Sequence, residues 1–266
     1  MAPMTNSLDP KELLAEYDAQ ARVFEAFGPV GATVHWDGPL KRTSGMASGG
    51  FITYRDLAGL QGDDLDALIA RQVAFFRERG EKFEWKTRGH DLPADLTDRL
   101  LAHGFAAEDP ETVVVGLAAP YATEAPALPA DVTIRQTADR DDYRKIADLN
   151  TAAWGQDLSW LETMLAEEST PDSLDVFVAE ADGKVVSAAW IRYLPGSQFA
   201  GLNGGTTLAE YRGRGIYKAL VAVRAAKAIE RGYKYLHVDC TEDSRPILQR
   251  LGFVAITTTT PYVWRP

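Results

Sequence analysis

The chain repeats itself. Ala67-Leu68-Ile69-Ala70, running on to Arg79-Gly80, has the pattern of Ala219-Leu220-Val221-Ala222, running on to Arg231-Gly232, with no gap between them. Residues 81–87 then parallel residues 233–239. After a small change in length, Leu100-Leu101-Ala102-His103-Gly104-Phe105 parallels Leu248-Gln249-Arg250-Leu251-Gly252-Phe253. The β-branched run Val113-Val114-Val115 falls within a residue of Tyr262-Val263-Trp264. A repeat of this span means two copies of one supersecondary unit. The competing explanation is a chance likeness between two helix–strand–helix units. Alternating helical and strand patterns make the expected fold class α/β, with a mixed sheet.

The two copies differ at one place, and that place carries the chemistry. The second copy contains Ala209-Glu210-Tyr211-Arg212-Gly213-Arg214-Gly215-Ile216-Tyr217-Lys218-Ala219-Leu220. The extended Gly205-Thr206-Thr207-Leu208 leads into this run, and Ile216, Leu220 and Val223 leave it at helical spacing. Glycines in such a turn let the backbone approach a ligand closely. Free amides at the positive end of a helix then suit a phosphate, and Arg212 and Arg214 add forked cationic donors. The implied ligand group is a pyrophosphate. A Walker loop needs Gly-Lys-Ser/Thr after a longer span, which is absent. A dinucleotide fingerprint needs a third glycine where Lys218 stands.

The run resembles the Arg-x-x-Gly-x-Gly/Ala loop of the GNAT superfamily of acetyl-CoA-dependent N-acetyltransferases. Arg212 and Gly215 match that pattern, and Tyr217 departs from it, standing where the family has Gly or Ala. The order of elements from 131 to 266 is similar to that fold as well. Strand 132–134 is followed by helices near 141–151 and 159–167, then by strands 174–180 and 185–193 around the turn Ala181-Asp182-Gly183-Lys184. Strand 199–208, the loop, a helix ending at Gly232 and strand 235–240 come next. A short helix capped by Asp243 or Ser244, with Pro246 in its first turn, precedes a β-rich end at 254–264.

The resemblance implies a tandem GNAT-like fold: a degenerate N-terminal domain at 1–117, a linker at 118–130 containing Pro120, Pro126 and Pro129, and a GNAT domain at 131–266. In the first copy Asp63 and Asp64 align with Gly215 and Ile216. Two carboxylates there would cap a helix and repel a pyrophosphate, so the acetyl-CoA site is expected in the C-terminal half alone. Carried over by position, Thr206, Thr207 and Leu208 offer backbone groups to the pantetheine arm and the thioester. Arg212, Gly213, Arg214, Gly215, Ile216, Tyr217 and Lys218 form the pyrophosphate side, and Thr241 takes the place of the family's Asn. Leu248 stands where the family often has the Tyr that protonates the thiolate, and Asn203 where some members have Glu.

Asp239 at the end of its strand is the candidate general base, and its alternative role is a structural carboxylate. His237 and Glu84 stand behind it. Trp154, Trp160, Trp190 and Tyr193 line an acceptor pocket or belong to the core. Arg224, Lys227 and Arg231 are expected on the solvated face of their helix. The implied activity is acetyl transfer from acetyl-CoA to a primary amine, of a small molecule, by direct attack in a ternary complex. Transfer to a peptide or protein amine, or non-catalytic acyl-CoA binding in a regulatory protein, are the alternatives.

Composition only excludes. A net charge of −10 argues against nucleic acid or an anionic membrane as partner. Cys240 is the single cysteine among 266 residues, so a reducing cytoplasm is the expected location and an intrachain disulfide is impossible. Met1–Pro10 does not read as a signal peptide, and no apolar run reaches membrane-spanning length. His35, His90, His103 and His237 have no paired ligand spacing, so no metal site is expected.

Overall fold

The structure is a computed structural model that describes residues 9–22, 32–123 and 127–266. In chain order come α1 (Pro10–Gln20), β1 (Thr33–Asp37), β2 (Leu40–Ser44), β3 (Gly50–Thr53), α2 (Gly62–Glu78), β4 (Phe83–Arg88), α3 (Leu96–Ala102), β5 (Ala106–Ala107) and β6 (Glu111–Leu117). There follow α4 (Ala118–Thr123), β7 (Val132–Thr137), α5 (Arg140–Trp154), α6 (Trp160–Glu168), β8 (Leu174–Ala181), β9 (Lys184–Tyr193) and β10 (Phe199–Thr207). The chain closes with α7 (Ile216–Glu230), β11 (Tyr235–Cys240), α8 (Arg245–Arg250) and β12 (Val254–Trp264). The fold is mixed α/β with a mixed sheet, as the alternating helical and strand patterns imply.

The matched glycines of the repeat are matched helix stops. After α2 the amide of Glu81 bonds back to the Phe76 carbonyl, and after α7 that of Tyr233 bonds back to Ala228, both at the six-to-one spacing of a Schellman stop. Phe105 to Leu100 after α3 and Phe253 to Leu248 after α8 repeat the arrangement. Strands then start at corresponding places, Phe83 and Tyr235. α5 is bounded by the Asp139 side chain, which accepts from the Asp141 amide, and by Gly155.

Two compact units emerge. One comprises Met1–Val115 with Asp239–Pro266, the other Gly116–Val238. In the first, β1 to β4 lie side by side, with β3 parallel to β4 over Gly50↔Phe83, Phe51↔Glu84 and Ile52↔Trp85. The last strand of the chain, β12, is antiparallel to β4 over Thr259–Trp264 and to β6 over Val254–Thr259, with β5 beside its end. The core beneath them gathers Phe76, Phe83, Trp85, Phe105 and Trp264, and the Phe76 and Phe83 rings stack at 4.1 Å. In the second unit the order is β11-β10-β9-β8-β7. Ile146 and Leu149 of α5 and Leu165 of α6 pack on Val176, Val178 and Ala188.

Two expectations need correction. The linker at 118–130 is helical in its first six residues, α4, whose Ala118 and Tyr121 are buried. Pro120 falls within the first turn, where a missing amide costs nothing, while Pro126 lies outside the described residues. Asp63 and Asp64 are not caps: the N-cap of α2 is Gln61, and the two carboxylates occupy its first turn. They still place negative charge at the helix end.

β10 breaks its ladder with β9 between Asn203 and Thr206, leaving Gly204 and Gly205 as a bulge. Gly204 has φ +64°, and a Cβ there would lie 1.9 Å from the Trp190 ring. Gly204→Ala is therefore expected to cost about 1–3 kcal/mol from backbone conformation alone, and more from displacing Trp190. Urea unfolding should record the loss, and an unchanged midpoint would contradict this bulge geometry.

Candidate functional site

β10 and β11 run parallel for three rungs only, Phe199↔Tyr235, Ala200↔Leu236 and Gly201↔His237. Beyond Gly201 the register of β10 continues with β9 alone, through the bulge and on to Thr207. β10 thus loses its parallel neighbour towards the carboxyl end from which the loop departs, the kind of place where ligands enter open α/β sheets. The loop makes a single 3-10 turn over Ala209–Tyr211 and enters α7 at Gly215, its N-cap. Gly213 and Gly215 have φ +74° and +83°, and a Cβ on either would meet no atom within 4 Å. Here glycine serves backbone conformation and open access, which is what amides aimed at an anion require.

The site residues expected from the sequence fall into three groups. Arg212 is exposed at the loop, and its Nε donates to the Thr207 carbonyl at 3.1 Å, which anchors the arm. Lys218 is also exposed, whereas Ile216 is buried as the first anchor of α7. Arg214 is committed elsewhere. Its Nη2 donates to both carboxylate oxygens of Asp131, at 2.6 and 2.7 Å, and this bond holds the Asp131 carboxyl below its ordinary range.

Thr206, Thr207 and Leu208 form the second group, and their own contacts are already specified. Ser187 Oγ donates to the Thr206 carbonyl at 2.7 Å and shares a 2.8 Å bond with Thr207 Oγ1, while the Leu208 amide donates to Val186. Thr206 Oγ1 donates to Asn150 Oδ1 at 2.7 Å and accepts from Trp154 Nε1 at 3.3 Å. These bonds brace the strand from α5. They direct attention upstream, to Gly204 and Gly205, whose place in the bulge a Gly-Gly pair inside a strand pattern signals. Tyr217, the departure from the family loop, faces them: a Cβ on Gly205 would lie 2.7 Å from its ring. The large residue on α7 is matched by the absence of a side chain on β10. Trp154 keeps 52 % of its surface exposed, unlike Trp190 and Tyr193, which belong to the core, where Tyr193 Oη donates to Asp175 at 2.7 Å.

The third group sits in the other compact unit. Asp239 Oδ2 lies 2.6 Å from Lys86 Nζ, an ion pair largely withdrawn from solvent, with Glu111 3.6 Å from the same ammonium. This is the structural role that competes with catalysis for Asp239. Thr241 Oγ1 is 3.4 Å from Ser244 Oγ, and the Thr241 carbonyl accepts from the Ser244 and Arg245 amides, so the residue organises the start of α8. Cys240 is inert by environment: Sγ donates to the Thr112 carbonyl at 3.1 Å, and burial pushes its thiol up to about 12. Leu248 is fully buried.

A hydrogen-bonded network lies at the corresponding strand end of the first unit. β3 and β4 also part after three rungs, but Arg22 Nε donates to the Tyr54 carbonyl at 2.9 Å just past that point. Arg22 Nη2 and Tyr54 Oη each reach Asp91 at 2.5 Å, and Arg88 Nη2 reaches Tyr17 Oη at 3.2 Å. Burial and the Asp91 charge raise the Tyr54 phenol far above its ordinary value. Arg22, Tyr54 and Asp91 thereby form one hydrogen-bonded network past the end of β3.

One further expectation fails, that Arg224 is solvated: it is 1 % exposed. A cation at that position reads as surface in a sequence because its acceptors are backbone carbonyls, which leave no sequence mark.

Residues 138–253 match the family model described as acetyltransferase (GNAT) family. That segment is a GNAT acetyltransferase domain. Among solved structures the chain is similar to a GCN5-related N-acetyltransferase from Kribbella flavida, with TM-score 0.68 and 16% identity over 97% of this chain and 95% of that one. It is similar to a tandem GNAT protein from the clavulanic acid biosynthesis pathway, with TM-score 0.62 and 14% identity over 97% of each chain. A functionally unknown protein from Staphylococcus epidermidis shares the fold at TM-score 0.65 and 12% identity, over 91% of this chain and 97% of that one. At these identities the structures speak for the fold. No curated protein matches the sequence. Around the GNAT domain, no described helix is long and apolar enough to cross a membrane. No described cluster of His, Cys, Asp and Glu could hold a metal ion.

Proposed function

We propose that the GNAT domain binds acetyl-CoA at the loop from Arg212 to Lys218 and transfers its acetyl group to a primary amine of a small molecule, in the cytoplasm. The observation that supports this most is the strand that loses its partner after Gly201 and leads into a glycine-capped helix start at Gly215. Arg212 and the loop amides take the pyrophosphate, and Lys218 meets an outer phosphate. The divided cleft of β10 receives the pantetheine arm. Residues 131–266 supply this half, residues 1–117 its degenerate copy.

Transfer proceeds by direct attack. The amine nitrogen bonds to the thioester carbon, the C–S bond breaks, and the thiolate leaves with a proton. Asp239 is the candidate acceptor of the amine proton. A second reading, an acyl-CoA-binding regulator without turnover, is favoured by two observations: the apolar Leu248 at the family's acid position, and the pairing of Asp239 with Lys86. Free-thiol release from acetyl-CoA with a panel of primary amines, run beside calorimetric acetyl-CoA binding, separates the two. Binding with amine-dependent thiol release supports the transferase, and binding without release on every amine supports the regulator.

A further inference from the structure

Arg224 lies on α7 beneath the β10 bulge, and its hydrogen-bond acceptors among the described residues are three backbone carbonyls. Nε donates to Leu220 at 2.9 Å, and Nη1 donates to Trp190 and to Asn203, both at 3.2 Å. Buried cations ordinarily take a carboxylate partner. Burial lowers this guanidinium to about 10, with the neighbouring Tyr217 acting in the opposite sense, so it remains charged at neutral pH. Among the described residues this positive charge is thus hydrogen-bonded to carbonyls and to no carboxylate.

The place of that charge is specific. Asn203 and Trp190 form the last rung of the β9–β10 ladder before Gly204 and Gly205. A bulge releases backbone groups from the ladder, and Arg224 collects the carbonyls on both sides of this rung. In a trans peptide the N–H points opposite to the C=O. With the Asn203 oxygen turned to Arg224, the Gly204 N–H is turned away from it. A cation on the carbonyl end also polarises the same peptide and makes its N–H a stronger donor. Tyr217 closes the bulge from the helix side, over Gly205.

We propose that Arg224 is a positioning residue for the thioester, fixing and polarising the Asn203–Gly204 peptide so that the Gly204 N–H meets the acetyl carbonyl oxygen. The inference rests on the reading of this half as an acetyl-CoA-dependent transferase. When the amine nitrogen bonds to the carbonyl carbon, the oxygen takes up negative charge, and the Gly204 N–H stabilises it. The carbonyl re-forms as the C–S bond breaks, the amine nitrogen loses a proton and the sulfur gains one. Arg224 keeps its proton throughout.

Infrared difference spectroscopy with acetyl-CoA carrying a ¹³C carbonyl tests this on the bound thioester, with turnover read separately on a primary amine. In the wild-type chain the thioester carbonyl band should move to lower wavenumber on binding. Arg224→Met should bind CoA within about threefold of wild type, with a clearly smaller band shift, and should lose about ten- to a hundredfold in turnover. Arg224→Lys keeps the charge but not the fork, so its shift should be intermediate; it decides the matter if the Met variant fails to fold. A merely structural role would weaken CoA and acetyl-CoA binding in parallel and leave the band of the bound fraction unmoved. Full wild-type shift and turnover in a folded variant overturns the inference. Failure of the wild-type chain to bind acetyl-CoA at all overturns the parent reading, and this one with it.

Discussion

Arg212→Glu is expected to weaken acetyl-CoA binding by at least a hundredfold while leaving the fold intact. Arg212 is exposed and attached to the protein through Nε and the Thr207 carbonyl, so its replacement removes no core contact. Charge-assisted bonds to phosphate contribute about 1.5–3 kcal/mol each, or about ten- to a hundredfold, before the repulsion of a carboxylate is added. Gly215→Asp should match it by another route. Nothing lies within 4 Å of a Cβ at Gly215, so the cost comes from φ +83° and from negative charge at the helix start. Gly215→Ala separates these, adding the Cβ without the charge, and should fall between wild type and Gly215→Asp. Calorimetry on folded variants reads all three. Unchanged affinity in Arg212→Glu and Gly215→Asp would mean that the pyrophosphate binds elsewhere.

Asp239→Asn should lower kcat by about a hundred- to ten-thousandfold, the usual range for loss of a general base. Acetyl-CoA affinity should stay within a few-fold. An alkyl amine has a pKa near the 10.4 or so of lysine, so little of it is nucleophilic at neutral pH. Raising the pH supplies neutral amine from solution, and the variant should recover part of its rate there while the wild type gains less. The ion pair with Lys86 makes a control necessary. Lys86→Met removes the same pair from the other side, and a loss caused by the broken pair alone would appear in both variants. Wild-type turnover in Asp239→Asn would assign this carboxylate to Lys86, and His237 or Glu84 would become the next bases to test.

The sequence carries most of the local structure and little of the long-range pairing. Helix stops at Gly80, Gly104, Gly232 and Gly252 are legible because a left-handed terminus selects glycine, and their spacing exposes the repeat. The loop is legible for the same reason. The position of β12 between β4 and β6 is not, because an alternating strand pattern does not name its neighbours. Arg224 escapes the sequence for a related reason: helical periodicity ranks an arginine as solvated, and the carbonyls of α7, β9 and β10 that hold it leave no mark on residue type. Asn150, Ser187 and Trp154 likewise become part of the site through bonds to Thr206 that span 19 to 56 residues. Asp63 and Asp64, set opposite Gly215 and Ile216, are the sequence's reason to expect a single acetyl-CoA site.

The central claim is that one copy binds acetyl-CoA and the other does not. Isothermal titration of monodisperse protein with acetyl-CoA tests it most directly, with Arg212→Glu titrated in parallel. We predict one site per chain in the wild type and loss of that site in the variant. Two equivalent sites per chain, or a single site that survives Arg212→Glu unchanged, would contradict the account.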